Sequence, residues 1–143
     1  MDQVLDRLRQ RGIKRTPQRV AVLRALDEGD HALSAGDVFR RAREHCPELG
    51  LSTVYRTLWA LTEAGMLDTI GHHDGEATYR LCSAGHHHHL VCSACMRVEE
   101  LPECDLSDVE RAVASEHGYR VDGHSLSFHG VCRECQAAGV PSE

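Results

Sequence analysis

Residues 52–81 read STVYRTLWALTEAGMLDTIGHHDGEATYRL. The first part predicts a helix over 52–64, because apolar residues recur at helical spacing until Gly65 ends the run. The runs MLDTI and ATYRL then alternate on either side of HHDGE, which predicts a β-hairpin over 66–81. Helices followed by such a hairpin are typical of a winged helix-turn-helix, with 52–64 as the recognition helix and 66–81 as the wing. The apolar face of the recognition helix is Val54, Leu58 and Leu61.

The sequence before this segment predicts three more short helices. Thr16 and Pro17 supply an N-cap and a first-turn proline for the second of them. Ser34, with Asp37 three residues later, forms a capping box for the third. These signals agree with a helical domain in front of the wing.

Composition sets the broad class of the protein. The 143 residues are 41% hydrophobic and 27% charged, which is ordinary for a globular chain. No apolar run approaches the roughly 20 residues that a membrane span needs. The charged start MDQVLDRLRQ lacks the apolar stretch of a signal peptide, so we expect a cytoplasmic protein.

Charge is distributed unevenly along the chain, whose net charge is −6. Residues 1–24 hold seven arginines and lysines against two aspartates, whereas 81–143 hold four arginines against ten acids. A basic head on an acidic tail fits a DNA-binding module joined to a part that does not touch DNA. An arginine-rich solvated helix would produce the same pattern.

Tyr55 and Arg56 lie near the start of the predicted recognition helix. Helix-turn-helix proteins present that region to base edges in the major groove. Arg can bond bidentately to guanine, and Tyr can contact thymine methyls or phosphate. The alternative is that Tyr55 packs in the core and Arg56 is merely solvated.

The second half of the chain has a different pattern. Residues 106–117 predict a helix that buries Leu106, Val109 and Val113, and 119–131 alternate as a strand. The predicted fold is therefore α+β, with a winged-helix domain and a small α/β dimerisation domain. The boundaries are 1–82 for the first domain, 83–85 for a hinge and 86–143 for the second.

Two Cys-x-x-Cys pairs dominate the second half. Seven cysteines are an odd number for a disulfide framework, and a reducing compartment favours metal ligation. Two thiolate turns brought together supply the tetrahedral four-sulfur site that structural zinc prefers. The predicted ligands are Cys92, Cys95, Cys132 and Cys135.

Four consecutive histidines, residues 86–89, precede the first pair. In an extended segment His87 and His89 face one way and His86 and His88 the other, so they can serve two different metal sites. Candidate partners elsewhere in the chain are Asp68, Cys82 and His124. The thiol of Cys82 favours zinc over Fe(II). The alternative is a polar linker with surface histidines.

The stretches GIKRTPQRVAVL, LSTVYRTLWALTEAGML, HHHHLVCSAC and HSLSFHGVCREC together resemble the ferric uptake regulator family of bacterial metal-sensing repressors. The resemblance covers nearly the whole chain in order. It implies a homodimer in which a regulatory metal acts as corepressor and favours binding to an AT-rich inverted repeat. It also implies that Lys14 or Arg15 enters the minor groove, that Tyr55 and Arg56 contact bases, and that Arg19 and Thr53 lie near the DNA backbone.

The resemblance also bears on the metal. Iron-sensing members usually carry a Glu where this chain has Cys82. A Cys there, together with Asp68, His87 and His89, looks like the regulatory site of the zinc uptake regulators. A further site would use His86, His88 and His124. The position of the carboxylate that usually completes this site is occupied here by Ser107, so Asp105, Asp108 or a water would have to replace it. Depending on whether this site is filled, we expect two or three zinc ions per subunit.

Other classes of function fit the sequence less well. A zinc hydrolase or deaminase would need a general base at an open metal position, and the His-x-Glu and Pro-Cys-x-x-Cys patterns are absent. A zinc-ribbon interaction module would explain the cysteines but not the basic winged helix. Within the family, sensing of iron or another divalent metal is the alternative to zinc.

Overall fold

The computed structural model describes residues 1–83, 85–101 and 104–141. The chain divides into two compact units, Met1–Ala84 and Gly85–Glu143. Residue 84, in the middle of the predicted hinge, lies outside the described residues. No helix in the described part of the chain combines the length and hydropathy needed to cross a bilayer.

The first unit is a helical bundle with a small sheet. Its helices are α1 (Asp2–Gln10), α2 (Pro17–Asp27), α3 (Ala35–His45) and α4 (Leu51–Glu63), and its strands are β1 (Leu33–Ser34), β2 (Leu67–His73) and β3 (Glu76–Leu81). The sheet order is β1-β3-β2, with both pairings antiparallel. This arrangement is the predicted winged helix, with β2 and β3 as the wing. The two-residue strand β1 gave no signal in the sequence.

The two predicted helix caps of this unit are present, but the predicted start of the recognition helix is wrong. Thr16 Oγ1 accepts from the Arg19 backbone N–H at 3.2 Å, with Pro17 as the first helical residue. Ser34 and Asp37 form both bonds of the capping box. Partial burial acts to raise the Asp37 pKa, but the hydroxyl and the backbone N–H of Ser34 both donate to its carboxylate and leave the pKa lowered. Ser52 does not open the recognition helix, because Gly50 is its N-cap and Leu51 its first residue.

Core packing holds the first unit together. The main cluster of buried apolar residues lies wholly within it, with α2 and α4 contributing Ala21, Val22, Leu23, Ala25, Leu26, Val54, Leu58 and Leu61. The first residues after α4 continue this core, since Met66 and Leu67 are buried at the start of the wing. The wing is thereby fixed to the recognition helix through apolar contacts.

The second unit consists of β4 (His88–Cys92), β5 (Val98–Leu101), α5 (Ser107–His117), β6 (Ser127–Gly130) and α6 (Arg133–Ala137). Its sheet order is β5-β4-β6, with β5 antiparallel and β6 parallel to β4. Of the predicted strand 119–131, only Ser127–Gly130 form a strand, which pairs with His89–Cys92 of β4.

Helix α5 departs from the prediction in its burial. It has no buried residue, and Val109 and Val113 are 54% and 44% exposed. Leu106 is its N-cap and is only partly covered. The expected apolar stripe is present, but nothing within the described part of a single chain covers it.

Candidate metal centres and nucleic-acid interface

Strand ends and a helix start bring the two Cys-x-x-Cys pairs together. Cys92 ends β4, Cys95 lies in the turn before β5, and Cys132 and Cys135 lie at and within α6. The Ser93 N–H donates to the Gly130 carbonyl at 2.8 Å, which holds the first turn beside the end of β6. Parallel pairing of Cys92 with Gly130 then places the second pair two residues further on.

The four sulfurs fit a tetrahedral zinc ion. All four lie within 4.8 Å of one another, and the Sγ atoms of Cys95 and Cys132 are 3.9 Å apart. Tetrahedral Zn–S bonds of about 2.3 Å would place the sulfurs about 3.8 Å apart. None of the seven cysteines, all of them described, is in a disulfide. The sequence prediction that these residues form one group agrees with this geometry.

The electrostatics of this cluster favour thiolate formation at Cys92. Burial opposes ionisation there, but backbone N–H groups of Cys132, Cys95 and Ala94 lower the pKa of the Cys92 thiol to about 6. The Cys132 N–H donates to Cys92 Sγ at 3.3 Å. In contrast, hydrogen bonding to Cys132, followed by burial, raises the pKa of the Cys135 thiol to about 12. A metal ion would supply the positive charge that lets all four thiolates coexist.

Three histidines form a second cluster in the same unit. Nε2 of His86 lies 3.0 Å from Nε2 of His88 and 3.1 Å from that of His124, and the last two are 3.0 Å apart. Zn–N bonds of about 2.0–2.1 Å separate nitrogen ligands by roughly 3.0–3.4 Å, depending on the bond angle. The alternation predicted for 86–89 therefore brings His86 and His88 together with His124, and the three nitrogens suit a cation.

Glu110 contacts this cluster, although the sequence did not predict it. Its Oε1 is 2.7 Å from His124 Nδ1. A carboxylate on Nδ1 holds the proton there and leaves Nε2 as the acceptor that a metal needs. The predicted carboxylates are engaged elsewhere, since Asp105 bonds Ser107 and Asp108 pairs with Arg111. In the sequence, Glu110 is an acidic residue about one helical turn after Ser107. Its role can be recognised only when α5 is known to lie beside His124.

His88 is the buried member of the cluster. It is 2% exposed, and burial, with His86 and His124 next in effect, lowers its pKa. A histidine held neutral keeps its lone pair available for a metal at neutral pH.

The four residues predicted for the regulatory site are divided between the two units. Asp68 is opposite Arg80 in the wing, and the Cys82 N–H donates to the Met66 carbonyl at 3.2 Å. This register places Asp68 and Cys82 on one face of the wing as diagonal neighbours. In the other unit the rings of His87 and His89 meet edge to face, with centroids 5.0 Å apart. Each unit thus assembles one pair of donors.

Cys82 is firmly held within the first unit. Its thiol is buried and lies 3.6 Å from the Gly65 carbonyl. Arg7 of α1 donates to its backbone carbonyl at 2.5 Å. The segment that leaves the wing is therefore anchored to α1 and to the end of α4.

The predicted DNA-contacting residues lie on the surface of the first unit. Lys14, Arg15 and Arg56 are exposed, and Arg19 and Thr53 are half-buried. Tyr55 is 53% exposed, so the alternative that it packs in the core is wrong. Arg56 donates to Thr53 Oγ1 at 3.3 Å, and Arg19 donates to the Lys14 carbonyl at 2.9 Å, which orders both groups.

This fold and these clusters coincide with a known family. Residues 10–135 match the sequence profile of the Ferric uptake regulator family. The chain belongs to this family. Family members are metal-responsive transcription regulators and not enzymes.

Two kinds of relative illustrate the membership. The ferric uptake regulation protein of Bacillus subtilis (strain 168) is 43% identical over 140 residues, covering 94% of this chain and 93% of that protein. A zinc uptake regulator solved in complex with zinc and DNA matches with a TM-score of 0.77 at 28% identity, over 98% of this chain and 95% of that one. The ferric uptake regulator of Vibrio cholerae matches with a TM-score of 0.63 at 28% identity, covering 87% of this chain and 96% of that one.

Proposed function

We propose that the protein is a zinc-dependent transcriptional repressor of the zinc uptake regulator branch, which binds an AT-rich inverted repeat as a homodimer in the cytoplasm and controls zinc uptake genes. The observation that carries the choice of zinc is Cys82, a buried thiol on the same face of the wing as Asp68. Thiolate is a soft ligand that suits zinc, whereas an iron site is served by carboxylates and imidazoles. The zinc- and DNA-bound relative supports this proposal.

In the proposed mechanism, Asp68 and Cys82 of the winged-helix unit and His87 and His89 of the C-terminal unit hold one regulatory zinc ion. The ion would supply bonds that join the two donor pairs. Because the two pairs belong to different units, satisfying all four donors would select one arrangement of the domains. If zinc increases the affinity for DNA about 100-fold, the coupling free energy between the two binding events is roughly 2.7 kcal/mol.

The remaining metal sites have other roles in this proposal. Cys92, Cys95, Cys132 and Cys135 hold structural zinc. A third ion is held by His86, His88 and His124, with Glu110 orienting His124. Lys14, Arg15, Arg19, Thr53, Tyr55 and Arg56 form the DNA-binding surface.

Dimerisation is assigned to the C-terminal unit. Val109 and Val113 lie one turn apart on α5, and Leu90 and Phe128 are cross-strand partners that are also exposed. Apolar residues left exposed one turn apart on a helix, or opposite each other on paired strands, are typical of an interface. We assign this surface to a second copy of the chain, since an inverted repeat presents two equivalent half-sites.

Iron-responsive regulation is the second candidate. It is favoured by the name of the B. subtilis relative, a ferric uptake regulation protein at 43% identity. The two candidates share the fold, the dimer and the DNA surface, and differ in the metal that closes the regulatory site.

The test is DNA binding measured by fluorescence anisotropy against buffered free Zn²⁺ and, separately, anaerobic Fe²⁺. The Cys82→Ala variant should lose its zinc response while keeping its dimer and structural zinc. Cys46→Ala is the matched control, because Cys46 is another buried thiol of the same unit and belongs to none of the groups of candidate metal ligands. An unchanged zinc response in Cys82→Ala would contradict the proposed regulatory site. An equal or better response of the unaltered protein to Fe²⁺ would favour the iron regulator.

A further inference from the structure

Trp59 is the only tryptophan of the chain, and it is 68% exposed on α4. It follows Tyr55 by four residues and Leu51 by eight, and both of those side chains are also exposed. Residues at this spacing share one helix face. The opposite face, with Val54, Leu58 and Leu61, is buried in the core. Trp59 is therefore not needed for packing within its own unit.

The neighbours of Trp59 indicate what covers it. Its face of α4 also carries Tyr55 and Arg56, the residues proposed to contact bases. Aromatic side chains combined with arginine are enriched at the energetic centres of binding surfaces. The indole has a broad apolar face and one N–H donor, which suit a deoxyribose and a phosphate oxygen respectively.

The position of Trp59 along α4 favours contact with the sugar-phosphate backbone over contact with base edges. With a rise of about 1.5 Å per residue, Trp59 lies about 6 Å beyond Tyr55 along the axis of α4. In helix-turn-helix proteins the N-terminal residues of the recognition helix reach base edges. A side chain one turn later on the same face meets the sugar-phosphate backbone that borders a major groove about 12 Å wide. Glu63, a further turn along, is exposed and acidic, as expected where the helix has left the phosphates.

We propose that Trp59 is a DNA-contacting residue. Its ring packs against a deoxyribose at the edge of the major groove, and its Nε1–H donates to a phosphate oxygen. The contact extends the Tyr55 and Arg56 surface by one helical turn and adds affinity without reading sequence. This inference rests on the proposed DNA binding.

The single tryptophan makes the contact directly measurable. The zinc-loaded, full-length protein is titrated with a labelled AT-rich inverted-repeat duplex, and binding is followed by anisotropy of the label. In parallel, acrylamide quenching of tryptophan emission reports the exposure of Trp59 alone. We expect saturating DNA to reduce the quenching constant several-fold, and a GC-rich duplex bound at low salt to do the same, because the contact is to the backbone.

Substitution then tests the energetic role. Trp59→Ala should fold normally, because the side chain is exposed, and should weaken DNA binding about tenfold. The slope of affinity against salt should not change, because an indole releases no counterion. Tyr119→Ala is the matched control: it removes an exposed aromatic residue of the other unit and should leave DNA affinity unchanged.

The outcomes separate the two proposals. Absence of DNA binding by anisotropy would overturn the proposed function and this inference together. DNA binding with Trp59 still open to acrylamide would overturn the inference alone. Shielding of Trp59 that rises with protein concentration in the absence of DNA would assign this face to a contact between copies of the chain and would also overturn it.

Discussion

At the residue scale, the pairing of Glu110 with His124 is the feature with the clearest chemical consequence. The carboxylate holds the proton on Nδ1 and turns Nε2 towards His86 and His88. Removing such a partner from a metal-binding histidine typically costs 10–100-fold in affinity. We therefore expect Glu110→Gln to weaken Co²⁺ or Zn²⁺ binding at this site by about that factor, measured by competition with a chromophoric chelator.

Asp108→Asn is the control for this substitution. It also removes an acid from the first turn of α5, but Asp108 pairs with Arg111 and not with a histidine. Equal metal affinity in the Glu110→Gln and unaltered proteins would show that Glu110 does not orient His124.

At the scale of elements, the C-terminal sheet and α6 are too short to be stable alone. Strand β6 has four residues and α6 has five, and α5 buries none of its residues. Isolated elements of this size are marginal in water, so the zinc ion proposed for the four-cysteine cluster would supply much of the stability of this unit. We expect Cys132→Ser to lose one zinc ion per chain and unfold the C-terminal unit while the first unit stays folded. Limited proteolysis with mass spectrometry, alongside zinc analysis, measures both effects.

Cys104→Ser is the matched control, because Cys104 belongs to the same unit but lies outside the four-cysteine cluster. It should keep its zinc and its resistance to protease. If Cys132→Ser remained equally resistant with one zinc ion fewer, the site would not be the main source of stability in this unit.

At the scale of the whole molecule, the exposed apolar face of α5 makes the assembly testable. Placing a carboxylate at Val113 would bury an unpaired charge in the proposed interface, which is strongly unfavourable. Val113→Asp should therefore sediment as a 15.9 kDa monomer and bind an inverted repeat more than about tenfold more weakly. Glu116→Gln, an exposed change on the same helix, should remain dimeric. A dimeric Val113→Asp would place the interface elsewhere.

Features that depend on residues close together in the sequence could be predicted before the packing was known. The caps at Thr16 and Ser34, the recognition helix and the hairpin of the wing all follow from spacing and side-chain chemistry over a few positions. The pairing of the two Cys-x-x-Cys turns was also predictable, because tetrahedral metal sites require four ligands and the chain offers two matched pairs. These predictions use only nearby residues or the number of available ligands, so they do not require knowledge of how the elements pack.

Features that join residues distant in sequence depend on how the elements pack. Strand β1 exists because β3 offers it partners, and most of 119–131 stays unpaired because β4 pairs only the last part of that segment. Glu110 reaches His124 through the placement of α5, while Asp105 and Asp108 pair with Ser107 and Arg111, which are close to them in sequence. The periodicity of α5 correctly predicted an apolar face. It could not show whether that face is buried within one chain or exposed for a partner, because the same spacing of apolar residues occurs in both cases.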